Sequence, residues 1–390
     1  MKKIFLLFTI LCIVLSMSIT IYAKNESYNQ AEFTSANNSY SVNAKSAVLI
    51  EANTGKVIFS QNENERRSPA SVTKVMTLLL VVEALRDERI KLEDTVTISE
   101  NASSMGGSQV FLEEGEKMSV EELLKCTIIA SANDAAFALA EYTYGSEETF
   151  ISEMNKRAAE LGMENSNFEN VTGLDDTVIN HYTSALDIAL MSCELIKYDI
   201  VKKYASLWQD TIRDGEFTLT NTNRLVRFYD GCNGLKTGST AKAGYCISAS
   251  AKRGDMQLIA VIMGAETRDI RNNEARKLLD FGFANYTVFS SGMECIENVP
   301  VLYGKINEAS IYSAGFKAVI PKSDVKKIEV KYDIPESITA PVSENQKVGK
   351  ITYILNGEVL GESDIIVKDR IEKITFWSLF KRIICDIFIG

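Results

Sequence analysis

Ser71 and Lys74 stand three residues apart in the segment Pro69-Ala70-Ser71-Val72-Thr73-Lys74. A helix that begins just after the proline puts both side chains on one face of its first turns. A hydroxyl beside an amine at a helix start suits nucleophilic catalysis: the serine attacks and the lysine takes its proton. The amine must be neutral to do so, and burial near other cations lowers a lysine's pKa enough. The N–H groups and dipole of a helix start also favour negative charge developing there. Taken alone the spacing is weak, because many exposed helix starts carry these residues.

Two later groups strengthen it. Ser131-Ala132-Asn133 falls between two expected helices, and Lys236-Thr237-Gly238 comes just before a β-rich run. The intervals from Ser71 to Ser131 and from Ser131 to Lys236 are 60 and 105 residues, room for intervening helices. Together they offer a second hydroxyl, an amide and a second cation. The single histidine, His181, cannot build a His-rich zinc site by itself. No CxxC pair occurs among the seven cysteines, so neither a metal nor a redox motif is indicated and no cofactor is expected. Buried free thiols are the expectation for the six that follow the N-terminal apolar run, Cys126, Cys193, Cys232, Cys246, Cys295 and Cys385.

Elements that must position these residues are legible in the pattern. The apolar runs 46–50 and 56–59 flank Asn53-Thr54-Gly55 and read as a hairpin. A long helix is expected from Ser71 to Arg86, with others at 120–129, 134–143, 147–161 and 184–198. Ser119 with Glu122 has the form of a capping box, and Gly162 suits a helix end. Residues 244–252 and 256–264 read as a second hairpin, followed by a helix near 270–286. Strands at both ends and helices between them predict one α+β domain over 43–290. From 296 to 368 short alternating runs and turn signals such as Asn356-Gly357 predict a small all-β domain.

At the N-terminus, Lys2 and Lys3 before the apolar run Ile4 to Ile21 read as a secretory signal peptide over 1–23, with cleavage after Ala23. Residues 24–42 read as a flexible spacer. In 371–390, Phe376, Trp377, Phe380, Ile383, Ile384 and Ile387 share one helical face and Lys381, Arg382 and Asp386 the other. Charges interrupt the segment, so it suits the membrane interface better than a span.

Composition excludes several classes. At 46% hydrophobic and 24% charged, the 390 residues are neither a polytopic membrane protein nor a mostly disordered chain. A net charge of −10 argues against a general nucleic-acid binder.

In the order SxxK, SxN, KTG, the three groups resemble the signature set of penicillin-binding proteins and serine β-lactamases. The chain is similar to low-molecular-mass penicillin-binding proteins of the serine D-alanyl-D-alanine carboxypeptidase type. The likeness extends to Asn170-Val171-Thr172-Gly173-Leu174-Asp175, His181-Tyr182-Thr183-Ser184-Ala185 and Asn233-Gly234-Leu235. It implies a β-lactamase/transpeptidase-like domain, an antiparallel sheet with helices on it, then a β-domain and an amphipathic anchor on the outer face of the cytoplasmic membrane. It also implies the substrate, a peptidoglycan stem peptide ending in D-Ala-D-Ala, and inhibition by β-lactams.

On that resemblance Ser71 is the nucleophile, Lys74 its base and Ser131 a proton relay tuned by Lys236. Asn133 holds the substrate amide. The N–H groups of Ser71 and Ser239, the latter following Gly238, hold the oxyanion, and Lys236, Thr237 and Arg271 face the terminal carboxylate. His181 then belongs to a structural loop. Ala132 departs from the Asp usual in β-lactamases and from the Gly common in carboxypeptidases. A β-lactamase, an endopeptidase and a non-catalytic sensor remain the alternatives. No Glu-x-x-Leu-Asn segment supplies a deacylating glutamate, which disfavours the first.

Overall fold

The structure, a computed structural model, describes residues 41–176 and 178–389. The expected signal peptide and most of the spacer lie outside them. Strands β1 (Ser46–Glu51) and β2 (Lys56–Gln61) form the expected hairpin. Strands β3 (Cys232–Thr240), β4 (Gly244–Arg253) and β5 (Met256–Ala265) follow late in the chain. They join into one antiparallel sheet of order β2-β1-β5-β4-β3. The first and last segments of the domain thus pair in its middle, as the α+β reading requires.

All six residues of β1 and all ten of β5 are buried, so both faces of the sheet are covered. Alternation divides the work. Val48, Ile50, Ile259, Val261 and Met263 join the large helical core. Leu49 and Leu258 point at α6 (Arg268–Asn285), where a Cβ on Gly282 would stand 2.5 Å from Leu258 and 3.0 Å from Leu49. Helix α1 (Lys74–Arg86) is buried from Lys74 to Ala84. It is apolar nearly all round, so it serves as the domain's axis rather than a surface helix. Burying each of its Leu, Val and Met side chains contributes about 1.5–3 kcal/mol.

Helix α2 (Val120–Lys125) packs on α3 (Asn133–Tyr144), and α3, α4 (Glu147–Glu160) and α5 (Ala185–Leu195) pack on α1. The capping box forms: Ser119 Oγ accepts from Glu122 N at 3.2 Å, and Glu122 accepts from Ser119 N at 3.2 Å. Gly162 adopts φ +72° just past α4, the left-handed position that ends a helix. The expected helix over 120–129 is not uniform. It is α-helical to Lys125 and widens into a π-turn at Cys126–Ala130.

Beyond α6 the chain enters its β-region at β6 (Tyr286–Ser291), inside the stretch assigned to the first domain from sequence. Seven strands follow: β7 (Cys295–Leu302), β8 (Glu308–Ser313), β9 (Phe316–Pro321), β10 (Ile328–Asp333), β11 (Ile338–Thr339), β12 (Gln346–Leu355) and β13 (Glu358–Val367). They make a six-stranded sheet of order β10-β12-β13-β8-β7-β11 and a separate β6–β9 pair. Ile311, Ile351, Tyr353 and Ile365 form its own core. Helix α7 (Phe376–Ile389) ends the chain, with Phe376 and Trp377 exposed. Among the described residues no helix is long and apolar enough to cross a membrane.

Cys126, Cys193 and Cys246 are buried thiols, as expected, whereas Cys295 is exposed at the start of β7.

Candidate active site

Ser71 does not sit in the first α-turn itself. It lies in a 3-10 turn, Ala70–Thr73, capped by Pro69, and α1 begins at Lys74. Ala70 holds φ +49°, a left-handed conformation uncommon for a residue with a Cβ. Packing maintains this turn from two sides. A Cβ on Gly173 would fall 1.8 Å from the carbonyl oxygen of Ala70, so only glycine fits there. A Cβ on Gly238 would stand 2.7 Å from the Ser71 nitrogen and 2.9 Å from that of Val72. The Lys236-Thr237-Gly238 strand therefore touches the nucleophile turn with bare backbone.

Lys74 is fully buried. Its Nζ lies 3.0 Å from Ser71 Oγ, 2.5 Å from Asn133 Oδ1 and 3.0 Å from the carbonyl oxygen of Thr172. Burial and then the charge of Lys236 hold its pKa well below the ordinary lysine value, while Asp134 opposes them. A neutral amine has two N–H donors and one lone pair. Asn133 and Thr172 take the two donors, which leaves the lone pair for the Ser71 O–H. The orientation of Asn133 is set from the other side, where its Nδ2 donates to the carbonyl of Gly106 at 2.6 Å. Its neighbour Asp134 accepts from the amides of Val110 and Leu112, pinning the 105–112 loop over α3.

Ser131 closes the π-turn with φ +63°, which aims its hydroxyl at the second lysine. Lys236 Nζ donates to Ser131 Oγ at 2.7 Å and to the Thr237 carbonyl at 2.9 Å. Burial, helped by the charge of Arg271, brings the Lys236 pKa down to about 7. Strand β3 is an edge of the sheet, and an extended peptide can add to such an edge. Asp175 ties the two walls together, accepting from Ser68 Oγ at 2.9 Å and Thr240 Oγ1 at 2.6 Å.

One cleft of about 430 Å³ gathers Ser71, Ser131, Thr237, Gly238, Ser239 and Arg271. Lys74, Asn133 and Lys236 stand behind its wall, each buried. All nine residues singled out from the sequence are thus at the cleft or directly bonded to its lining. Sequence reasoning missed the Thr172 carbonyl, Asp134, Thr222 and the rim residues Trp208, Arg224 and Arg268.

His181 is a structural pin. The Glu169 amide donates to its Nδ1 at 3.0 Å, so Nε2 carries the proton and donates to Thr73 Oγ1 at 2.8 Å. Both ring nitrogens are spent away from Ser71. Burial pushes its pKa down to about 4. The unfolded chain titrates near 6.5, so it binds more protons between these values. The stability from neutral His181 is present above about pH 6.5 and lost as pH falls towards 4. By pH 5 this amounts to roughly 2 kcal/mol. Urea unfolding of wild type and His181→Asn at pH 7 and pH 5 should show the larger acid loss in wild type. Equal losses would mean that His181 does not titrate this way.

Comparison with known proteins finds matches over both the helical domain and the β-region. Residues 31–267 match the family described as D-alanyl-D-alanine carboxypeptidase, and 283–373 match the penicillin-binding protein 5 C-terminal domain. The D-alanyl-D-alanine carboxypeptidase DacF of Bacillus subtilis is 44% identical over 350 residues, 88% of this chain and 90% of its own. DacC of Escherichia coli is 37% identical, covering 87% and 86%. Among solved structures, penicillin-binding protein 5 from Haemophilus influenzae aligns with a TM-score of 0.74 and 32% identity, over 86% of this chain and 99% of that one.

Proposed function

The chain belongs to the D-alanyl-D-alanine carboxypeptidase family, and on that premise we propose that Ser71 is its acyl-forming nucleophile and that Lys74 and Ser131 move the protons beside a charged Lys236. The protein is a serine peptidase that removes the terminal D-alanine from D-Ala-D-Ala ends of peptidoglycan peptides, and a penicillin-binding protein. The observation that carries the assignment of roles is the Lys74 amine, 3.0 Å from Ser71 Oγ with its two other bonds already occupied.

Ser71 Oγ attacks the carbonyl carbon between the two D-alanines while its proton passes to Lys74. The N–H groups of Ser71 and Ser239 receive the oxyanion, each such donor being worth about 10²–10³ in rate. As the C–N bond breaks, Ser131 delivers its proton to the leaving amine and takes in return the one that Lys74 received from Ser71, while Lys236 keeps its charge and its hydrogen bond to Ser131 Oγ. Lys74 is then neutral again. Thr237 and Arg271 hold the terminal carboxylate, and Asn133 steadies the substrate amide and Lys74. Water then attacks the acyl-enzyme with Lys74 again as base. A β-lactam follows the first half of this path, and its acyl group leaves slowly.

Released D-alanine, measured beside penicillin consumption, tests the proposal. Fast D-alanine release with slow penicillin turnover is expected. Fast penicillin hydrolysis would point to a β-lactamase instead, and penicillin labelling without any D-alanine to a sensor.

The two lysines predict opposite pH limbs. Lys74 must be neutral, so activity rises through its pKa. Lys236 must be charged to meet the carboxylate, so kcat/KM falls as pH rises past about 7. Lys236→Arg keeps its charge throughout and should carry that alkaline limb above about pH 9, whatever its effect on the maximum. A limb that stays near 7 in the variant would assign it to another group.

The family's substrate places the work at the cell wall. We propose further that α7 seats the enzyme on a membrane surface. Phe376, Trp377 and Phe380 are exposed on it, beside Lys381. Removal of 376–390 should abolish co-sedimentation with anionic vesicles, and retained binding would refute the anchor.

A further inference from the structure

The cleft carries more positive charge than one terminal carboxylate needs. Arg271, Arg224 and Arg268 all line it, and among the described lining residues none is acidic. Arg271 is the inner member: it is buried, with Nε and Nη2 donating to Asn272 Oδ1 at 3.0 and 2.9 Å. Arg224, which precedes a short helix at Leu225–Phe228, and Arg268, the first residue of α6, are both exposed. Neither guanidinium has a hydrogen-bond or ion-pair partner among the described residues. Both repel the charge on Arg271. Three guanidinium groups around one cleft, in a chain of net charge −10, make it a local concentration of positive charge that favours anions.

A carboxylate pairs bidentately with a single guanidinium. The terminal carboxylate of the substrate is met by Arg271 with Thr237, in the reading given above, on which this inference rests. The outer pair is left over, lining the same cleft and near enough to act on the charge of Arg271, which in that reading marks the end where the leaving residue binds. We propose that Arg224 and Arg268 form an outer anion subsite for a second carboxylate, carried on the side chain of the leaving residue. The enzyme then accepts peptides ending in an acidic D-amino acid as well as in D-alanine. The chemistry is unchanged: the peptide C–N bond breaks, water is consumed, and the acidic D-amino acid leaves with the proton from Ser131.

The test compares two peptides differing only in their last residue, D-alanine or D-glutamate, with the wild type and the double variant R224Q/R268Q. The readout is the ratio of kcat/KM for the acidic peptide to that for the alanine peptide. Wild type should show a ratio near or above one. In the double variant the ratio should fall by about tenfold or more, through KM, the scale of a charge-assisted hydrogen bond. Both side chains are exposed, so the variant should fold, and penicillin labelling of it checks that the site is intact. A variant ratio within twofold of wild type, or a wild-type ratio below about 0.01, overturns the subsite while leaving the carboxypeptidase reading in place. Release of neither amino acid by wild type overturns both.

Discussion

Lys74→Gln is expected to slow acylation by penicillin roughly 10³–10⁴-fold, the upper range for loss of a general base. Glutamine keeps a side-chain donor near Asn133 Oδ1 and the Thr172 carbonyl, so the wall behind Ser71 stays in place. What it lacks is a lone pair basic enough to take the serine proton. Lys74→Arg should fail equally, because a guanidinium does not give up its proton in this range. That pair of variants separates a base from a structural cation, since a structural cation would be rescued by arginine. Stability gives a second, independent readout. The fold holds Lys74 buried with its protonated form disfavoured. Glutamine removes that ionisable group, so thermal melting should not drop as it does when a buried ion pair is broken. A folded Lys74→Arg enzyme with near-normal acylation would remove the lysine from the mechanism.

Ser71→Ala should have the largest effect of any single change, roughly a 10⁶-fold loss in kcat, as expected for deleting the nucleophile of a catalytic unit. The loss is specific to the covalent step. Ser131, Thr237, Gly238, Ser239 and Arg271 still line the cleft, so peptides and β-lactams should still bind reversibly. Retained binding with no adduct is the expected signature. Residual covalent labelling at a normal rate in Ser71→Ala would transfer the nucleophile to another hydroxyl, Ser131 first.

The site was legible in the chain to the extent that its chemistry resides in side chains. Serine, lysine, asparagine and the KTG group are rare enough in that order to be noticed, and the fold brings all of them together. The hairpins, α1 and the all-β segment were legible because their apolar periods are clear. Where the signal failed, the cause was backbone. The carbonyl of Thr172 has no letter of its own, and only the packing of Gly173 under Ala70 shows why that loop lies beneath Lys74. The 3-10 start before α1 and the π-turn before Ser131 come from tertiary packing, which overrides a continuous helical pattern. Strand β6 follows α6 without a break, so no turn residue marks the start of the β-region. Arg224 and Arg268 carry no motif, and their common cleft appears only once β3 and α6 are folded beside them.

Mass spectrometry of the protein after brief exposure to penicillin tests the central claim most directly. A single adduct of the full antibiotic mass is expected, mapped by digestion to the peptide that holds Ser71, and absent in Ser71→Ala. An adduct mapped to Ser131 or any other residue, or an unmodified protein that nevertheless releases D-alanine from D-Ala-D-Ala peptides, would contradict it.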